Sequence, residues 1–136
     1  MPTHRMMNSK IHRARITGAD LHYVGSIAID PSLLSAAKII PNEQVEIWNI
    51  NTGARFDTYA IAGTPGQICL NGAAARLAQP GDLVIIVTFV DVARADLAEH
   101  QSTVVVVDEA NRPVEISSAA NLQLLMSADS MNSDLR

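Results

Sequence analysis

The chain is short of cysteine, of aromatic residues and of positive charge, and each shortage removes a class of protein. Cys69 is the only cysteine among 136 residues. Neither an intrachain disulfide framework nor a thiolate metal site can be built from it, and it reads as a small buried hydrophobe. Phe, Trp and Tyr make up 4% of the chain against 48% hydrophobic residues in all. The core must therefore be aliphatic. With a formal net charge of −4, the chain has no broad basic face for a nucleic-acid backbone. The one local exception is the run Lys10-Ile11-His12-Arg13-Ala14-Arg15. No apolar run reaches the ~18 residues that a spanning helix requires. The opening Met1-Pro2-Thr3-His4-Arg5-Met6-Met7 lacks a signal peptide's apolar stretch, so the expectation is a cytoplasmic protein with no membrane partner. His4, His22 and His100 have no metal-ligand spacing among them, and no metal is expected.

What is present is a series of short strand patterns. Lys10 to Thr17 alternates, Ser26 to Ile29 is a brief run, and Gln44 to Ile50 and Asp57 to Ile61 flank the turn Asn51-Thr52-Gly53. Gln67 to Leu70 is short, and Leu83 to Val90 is almost wholly apolar, as a strand buried on both faces would be. Thr103 to Val107 and Val114 to Ile116 follow, joined by a turn around Asn111. Helices are few. Asp30-Pro31 reads as an N-cap and first helical proline opening Ser32 to Lys38. Gly72 to Leu77 and Ala93 to Glu99 suit a turn or two each. Many close strands with little helix predict a mainly β fold, a small barrel or sandwich, and closure would remove exposed edges. The expected domain is 1–116. The segment 117–136, rich in Ser, Asn, Ala and Asp, reads as a disordered tail with at most a weak helix around Ala120 to Met126.

Taken alone, Gly25-Ser26 is an ordinary dipeptide. In context it is not: Lys10-Ile11-His12-Arg13, Ala19-Asp20-Leu21-His22-Tyr23-Val24-Gly25-Ser26, Ile47-Trp48-Asn49, Gly53-Ala54-Arg55-Phe56-Asp57-Thr58-Tyr59-Ala60-Ile61 and Asn71-Gly72-Ala73-Ala74-Ala75 stand in one order along the chain. So does Pro80-Gly81-Asp82-Leu83-Val84-Ile85. Together these segments closely resemble the pyruvoyl-dependent aspartate 1-decarboxylases, over residues 10 to 90; beyond Asp91 the likeness is thin. The connection Gly63-Thr64-Pro65-Gly66-Gln67 is shorter than in many relatives.

The resemblance implies a closed six-stranded double-psi β-barrel with a few short helices, and a zymogen that cleaves itself. Ser26 would attack the Gly25 carbonyl, leaving fragments 1–25 and 26–136, the latter headed by a pyruvoyl group made from Ser26. Removing an α-carboxylate leaves electrons that no ordinary side chain accepts. A carbonyl joined to the substrate amine as an imine (Schiff base) accepts them. Nothing in the sequence resembles a pyridoxal phosphate site, so no PLP is expected. The implied product is β-alanine from L-aspartate, feeding pantothenate and coenzyme A biosynthesis, and the implied assembly is a homotetramer with sites between subunits.

The resemblance also distributes roles. Tyr59 becomes the proton donor to the α-carbon, a task for a phenol that keeps its proton at neutral pH. Thr58 assists cleavage and contacts substrate. Neighbours in a strand face opposite ways, so if both reach the site a bulge or a strand end should lie there. Arg55, whose forked guanidinium matches a carboxylate, and Lys10 would hold substrate charge. Lys10 and His12, two apart in a strand, would share a face; His12 has either a pocket role or a structural hydrogen bond. Gly72, Ala73 and Ala74 would contact substrate through backbone at a short helix start, and Asn71 is linked to processing. Tyr23 and Trp48 would wall the pocket, with interface packing the alternative for Trp48. Two other functions stay open on the sequence: a pyruvoyl decarboxylase for another acidic amino acid, since one methylene is worth only ~1–3 kcal/mol, and a non-catalytic double-psi barrel adaptor.

Overall fold

The structure, a computed structural model, describes residues 2–120. Its strands are β1 (Thr3–Arg15), β2 (Gly18–Asp20), β3 (Ser26–Ile29), β4 (Gln44–Asn49), β5 (Arg55–Ala62), β6 (Ile68–Asn71), β7 (Leu83–Ala93), β8 (Gln101–Val107) and β9 (Pro113–Ala120). The helix α1 spans Pro31–Ala37, and 3₁₀ turns cover Gly72–Arg76 and Arg94–Glu99. The fold is mainly β with few short helices, as the sequence predicts.

The nine strands pair in the order β2-β6-β3-β5-β4-β7-β1-β8-β9. No ladder among the described residues joins β2 to β9. The sheet is fastened on itself by the chain instead, because β1 runs into β2 through Ile16 and Thr17 alone. Hydrogen bonds hold that corner: Ile16 N–H donates to Asp82 C=O at 2.9 Å and Thr17 N–H to Ile68 C=O at 2.8 Å. Ile11, Ile27, Val45, Ala60, Leu70, Ile86 and Val105, contributed by seven strands, are all fully buried in one cluster. Their alternation with polar neighbours sets the inward face of each strand, and the core is aliphatic, as the shortage of aromatics required.

Local signals explain the elements. Asp30 caps α1 by accepting the Ser32 N–H at 2.7 Å, Pro31 follows, and Lys38 closes the helix in the left-handed region at φ 59°. Burial alone pushes the Asp30 carboxyl up. Hydrogen bonds from the N–H groups of Gly66 and Ser32 and from the Ser32 hydroxyl, aided by Arg112, outweigh it and hold the carboxyl below its ordinary range. Leu33, Leu34 and Ala37 face the core.

Three features depart from the sequence reading. β1 begins at Thr3, well before Lys10, because its first half pairs antiparallel with the far end of β7, from Thr3↔Ala93 to Met7↔Phe89. β2, absent from the reading, exists through its parallel pairing with β6. β9 continues through Ser117 to Ala120, past the boundary expected after Ile116, by pairing with Val104 to Gln101. The weak helix expected around Ala120 to Met126 and the rest of the expected tail lie outside the described residues.

Candidate active site

Ser26 opens β3, and the strands on either side decide what surrounds it. In the antiparallel ladder with β6, Ser26 stands opposite Asn71 and Ile27 opposite Leu70. In the parallel ladder with β5, the first pair is Ile27↔Ala60. One further step in that register sets Ser26 level with Tyr59. Ile27, Leu70 and Ala60 point into the core, so Ser26, Asn71 and Tyr59 occupy the outward face.

Ser26 is nonetheless only 1% exposed. Its Oγ accepts a hydrogen bond from Asn71 Nδ2 at 3.0 Å, and the Asn71 Oδ1 faces the Cys69 thiol at 3.5 Å. Asn71 precedes the 3₁₀ turn Gly72–Arg76 but makes no side-chain cap there; its amide is committed to Ser26. Gly72 has φ +67°, a left-handed conformation that favours glycine. A Cβ at Gly72 would lie 2.7 Å from Gly25 Cα and 2.9 Å from Gly25 N. The absence of a side chain is what lets the residue before the serine rest against this turn.

Beside the pair lies a cleft of about 370 Å³ bordered by Asp20, Tyr23, Ala28, Ile61, Cys69 and Asn71, with Gly63, Thr64 and Gln67 at its rim. Tyr23 is exposed at its mouth, where the sequence placed a pocket wall. Asp20, Cys69 and the Gly63–Gln67 rim had no role in the sequence reading. One signal was available: outward Cys69 and Asn71 alternate with inward Ile68 and Leu70 on β6, which sets the thiol on the asparagine's face.

Thr58 and Tyr59 are half-buried neighbours in β5. The pairing of β4 with β5 runs from Trp48↔Arg55 to Gln44↔Tyr59 without a register shift, so there is no bulge. The strand end is β3, which starts at Ser26 beside them. Thr58 shares the inward side with Ala60, and Tyr59 the outward side with Ile61.

The remaining candidates gather elsewhere. Arg55 stacks its guanidinium on the Trp48 ring, 4.3 Å from the centroid, and both border a separate cleft of about 300 Å³ with Gly53, Ala54 and Ile85. Arg55 is four residues before Tyr59 on the same face of β5, ~13 Å away at ~3.3 Å per residue. Lys10 and His12 do share a face of β1, against Val104 and Val106 of β8. β1 is four places from β3 in the strand order. A register shift lies between Ile11 and Ala14, where Arg13 adopts φ 65°. The His12 Nδ1 is buried with no hydrogen-bond partner among the described residues; burial first, then the charges of Lys10 and Arg13, push its pKa down. Ala73 is exposed and Ala74 half-buried in the turn after Asn71. Among the described residues no three His, Cys, Asp or Glu side chains group as a metal site, and no helix is long and apolar enough to cross a membrane.

Residues 2–114 match the model of the aspartate decarboxylase family. The chain is similar to an aspartate 1-decarboxylase of Legionella pneumophila (strain Lens), 56% identical over 118 residues, covering 85% of this chain and 89% of the relative. It is similar also to one from Syntrophobacter fumaroxidans, 55% identical over 111 residues with 80% and 90% covered. A third, from Thermoanaerobacter pseudethanolicus, is 52% identical over 113 residues with 82% and 97% covered. With a family match over nearly all of its described length and this identity to full-length relatives, the chain belongs to the aspartate decarboxylase family.

Proposed function

We propose that this chain is a precursor that cuts itself between Gly25 and Ser26, and that it then converts L-aspartate to β-alanine and carbon dioxide. β-Alanine is the compound that pantothenate, and hence coenzyme A, biosynthesis requires. The observation that carries the reading is the buried Ser26 hydroxyl, with an amide donor at 3.0 Å and Gly25 pressed against a side-chain-free turn. An adaptor barrel has no use for such an arrangement.

In maturation the Ser26 Oγ attacks the Gly25 carbonyl carbon, the peptide C–N bond breaks, and an ester joins the residues. Loss of the Ser26 Cα proton then breaks the Cβ–Oγ bond, and Gly25 leaves as a carboxylate that carries Oγ with it. The Asn71 Nδ2–H steadies the negative charge that grows on Oγ in this elimination. Water adds to the dehydroalanine left at position 26 and displaces its nitrogen as ammonia. Fragments 1–25 and 26–136 result, the second with a pyruvoyl end. The residues present fit that group: Asn71, which donates to Ser26 Oγ, borders a cleft with Tyr23 exposed at its edge, and glycine at position 72 accommodates the close approach of the Gly25 backbone. When formed, the pyruvoyl supplies the carbonyl that takes up electrons from the substrate α-carbon.

The chain's own side chains do the rest. Tyr59, outward and level with Ser26 one step beyond the Ile27–Ala60 pair, delivers a proton to the α-carbon. Thr58 supports the cut and touches substrate. Backbone at Gly72, Ala73 and Ala74 admits the substrate closely, and Tyr23 covers it. Arg55 and Lys10 hold the carboxylates, with Trp48 orienting the guanidinium by stacking and His12 flanking Lys10. In keeping with the family resemblance, the reading assembles each site between subunits of a homotetramer, in the cytoplasm. In this reading the barrel domain runs at least through β9, to Ala120.

Intact-mass measurement of purified protein tests this directly. Wild type is expected as two chains, 1–25 and 26–136, the larger with a blocked N-terminus. Ser26→Ala is expected as one uncut chain with no β-alanine production. Recovery of fragment 1–25 from Ser26→Ala would refute the mechanism.

A further inference from the structure

Resting on the self-cleavage reading above, we propose that Cys69 is a positioning residue for maturation: its thiol sets the Asn71 amide so that the nitrogen, not the oxygen, faces the Ser26 nucleophile. The three side chains form a relay. The Cys69 thiol lies 3.5 Å from Asn71 Oδ1, and Asn71 Nδ2 lies 3.0 Å from Ser26 Oγ. An amide turned the other way would accept the serine's proton instead of donating to its oxygen. That orientation would leave unsupported the charge that grows on Oγ when the Cβ–Oγ bond breaks and the Gly25 carboxylate leaves.

An asparagine side chain is symmetric in shape, so a neighbour has to choose its orientation. Asn71 is buried, and the thiol beside it donates a proton more readily to an oxygen than it receives one from nitrogen. The thiol's competing acceptor, the Leu70 carbonyl, is further away at 3.9 Å. The sulfur is held from the other side by Gly18, where a Cβ would come within 3.2 Å of Sγ. Burial first, and the charge of Asp20 second, push the thiol's pKa up. It therefore keeps the proton that the relay needs throughout the neutral range.

Cleavage kinetics of newly made precursor test the assignment. Wild type, Cys69→Ala and Cys69→Ser are synthesised cell-free, and conversion to 26–136 is followed by intact mass, with melting temperatures measured alongside. Cys69→Ala is expected to mature about threefold to tenfold more slowly, the worth of one ordinary hydrogen bond. Cys69→Ser, whose hydroxyl donates in the same direction, is expected to recover the wild-type rate. Equal rates for wild type and Cys69→Ala overturn the assignment. So does an equal slowing of the Ala and Ser variants at unchanged melting temperature, which makes sulfur volume the cause. If Cys69→Ala melts early, the Ser variant alone decides, and slow cleavage by a stable Cys69→Ser protein counts against the relay. A wild-type chain that never cleaves removes the function reading itself; a wild type that cleaves with an indifferent Cys69→Ala removes only the role of the thiol.

Discussion

The Ser26 end of the molecule and the Arg55–Trp48 face are built on opposite plans. At the first, the reactive hydroxyl is buried, hydrogen-bonded within the chain and backed by a glycine turn that touches the residue before it. At the second, Arg55 is exposed and its guanidinium stacks on Trp48. The difference teaches which task each chain completes alone. In the proposed reading, the cut is made between two neighbouring residues of one chain, while the cation that holds substrate charge comes from a second copy's exposed face.

The sharpest way to break the comparison is at Gly72. Gly72→Ala puts a Cβ 2.7 Å from Gly25 Cα, at a residue with φ +67°. The unfavourable backbone conformation costs ~1–2 kcal/mol, and Gly25 must also move. Uncut precursor is expected to accumulate, with all β-alanine production lost, while circular dichroism shows the β fold intact. Normal cleavage in this variant would mean that the close approach of Gly72 to Gly25 has no part in maturation.

Tyr59→Phe should divide the buried end into its two functions. Ser26 attack does not involve the phenol, so intact mass should show complete cutting. The α-carbon then lacks its positioned acid, and β-alanine formation is expected to fall by ~10²–10⁴. A wild-type turnover rate would assign the proton to a water or to His12.

Arg55→Ala tests the exposed face and should have the smallest effect. Cleavage is expected to be unchanged. The Michaelis constant for aspartate should rise by ~10–100-fold, the worth of a charge-assisted hydrogen bond or two. Slow cleavage in Arg55→Ala would join the two regions functionally and dissolve the distinction between them. Mixing Arg55→Ala with Ser26→Ala chains sharpens it further: activity recovered in mixed assemblies requires that one copy supply the cation and another the cut end.

Much of this molecule is legible residue by residue. Asp30-Pro31 announces α1, Asn51-Thr52-Gly53 announces the hairpin between β4 and β5, and the apolar run from Leu83 announces the central strand, because caps, turns and alternation are local properties. The shortage of aromatics foretold an aliphatic core for the same reason. β2 and the first half of β1 were not legible, since their residues have weak strand patterns and become strands only by meeting β6 and β7. Pairing energy comes from a distant partner, and no window of sequence contains it.

The site divides along the same line. The motifs around Lys10, Ser26, Arg55, Tyr59 and Asn71 point to the chemistry through their order along the chain and their resemblance to the aspartate decarboxylases, since Gly25-Ser26 taken alone is an ordinary dipeptide. Only the tertiary structure decided who touches whom. It set Asn71 across from Ser26, pressed Gly72 against Gly25, turned Tyr59 outward and Thr58 inward, and stacked Arg55 on Trp48. Those outcomes follow from ladder register, which a side-chain period of two converts into faces, and register is fixed by the packing of the whole sheet.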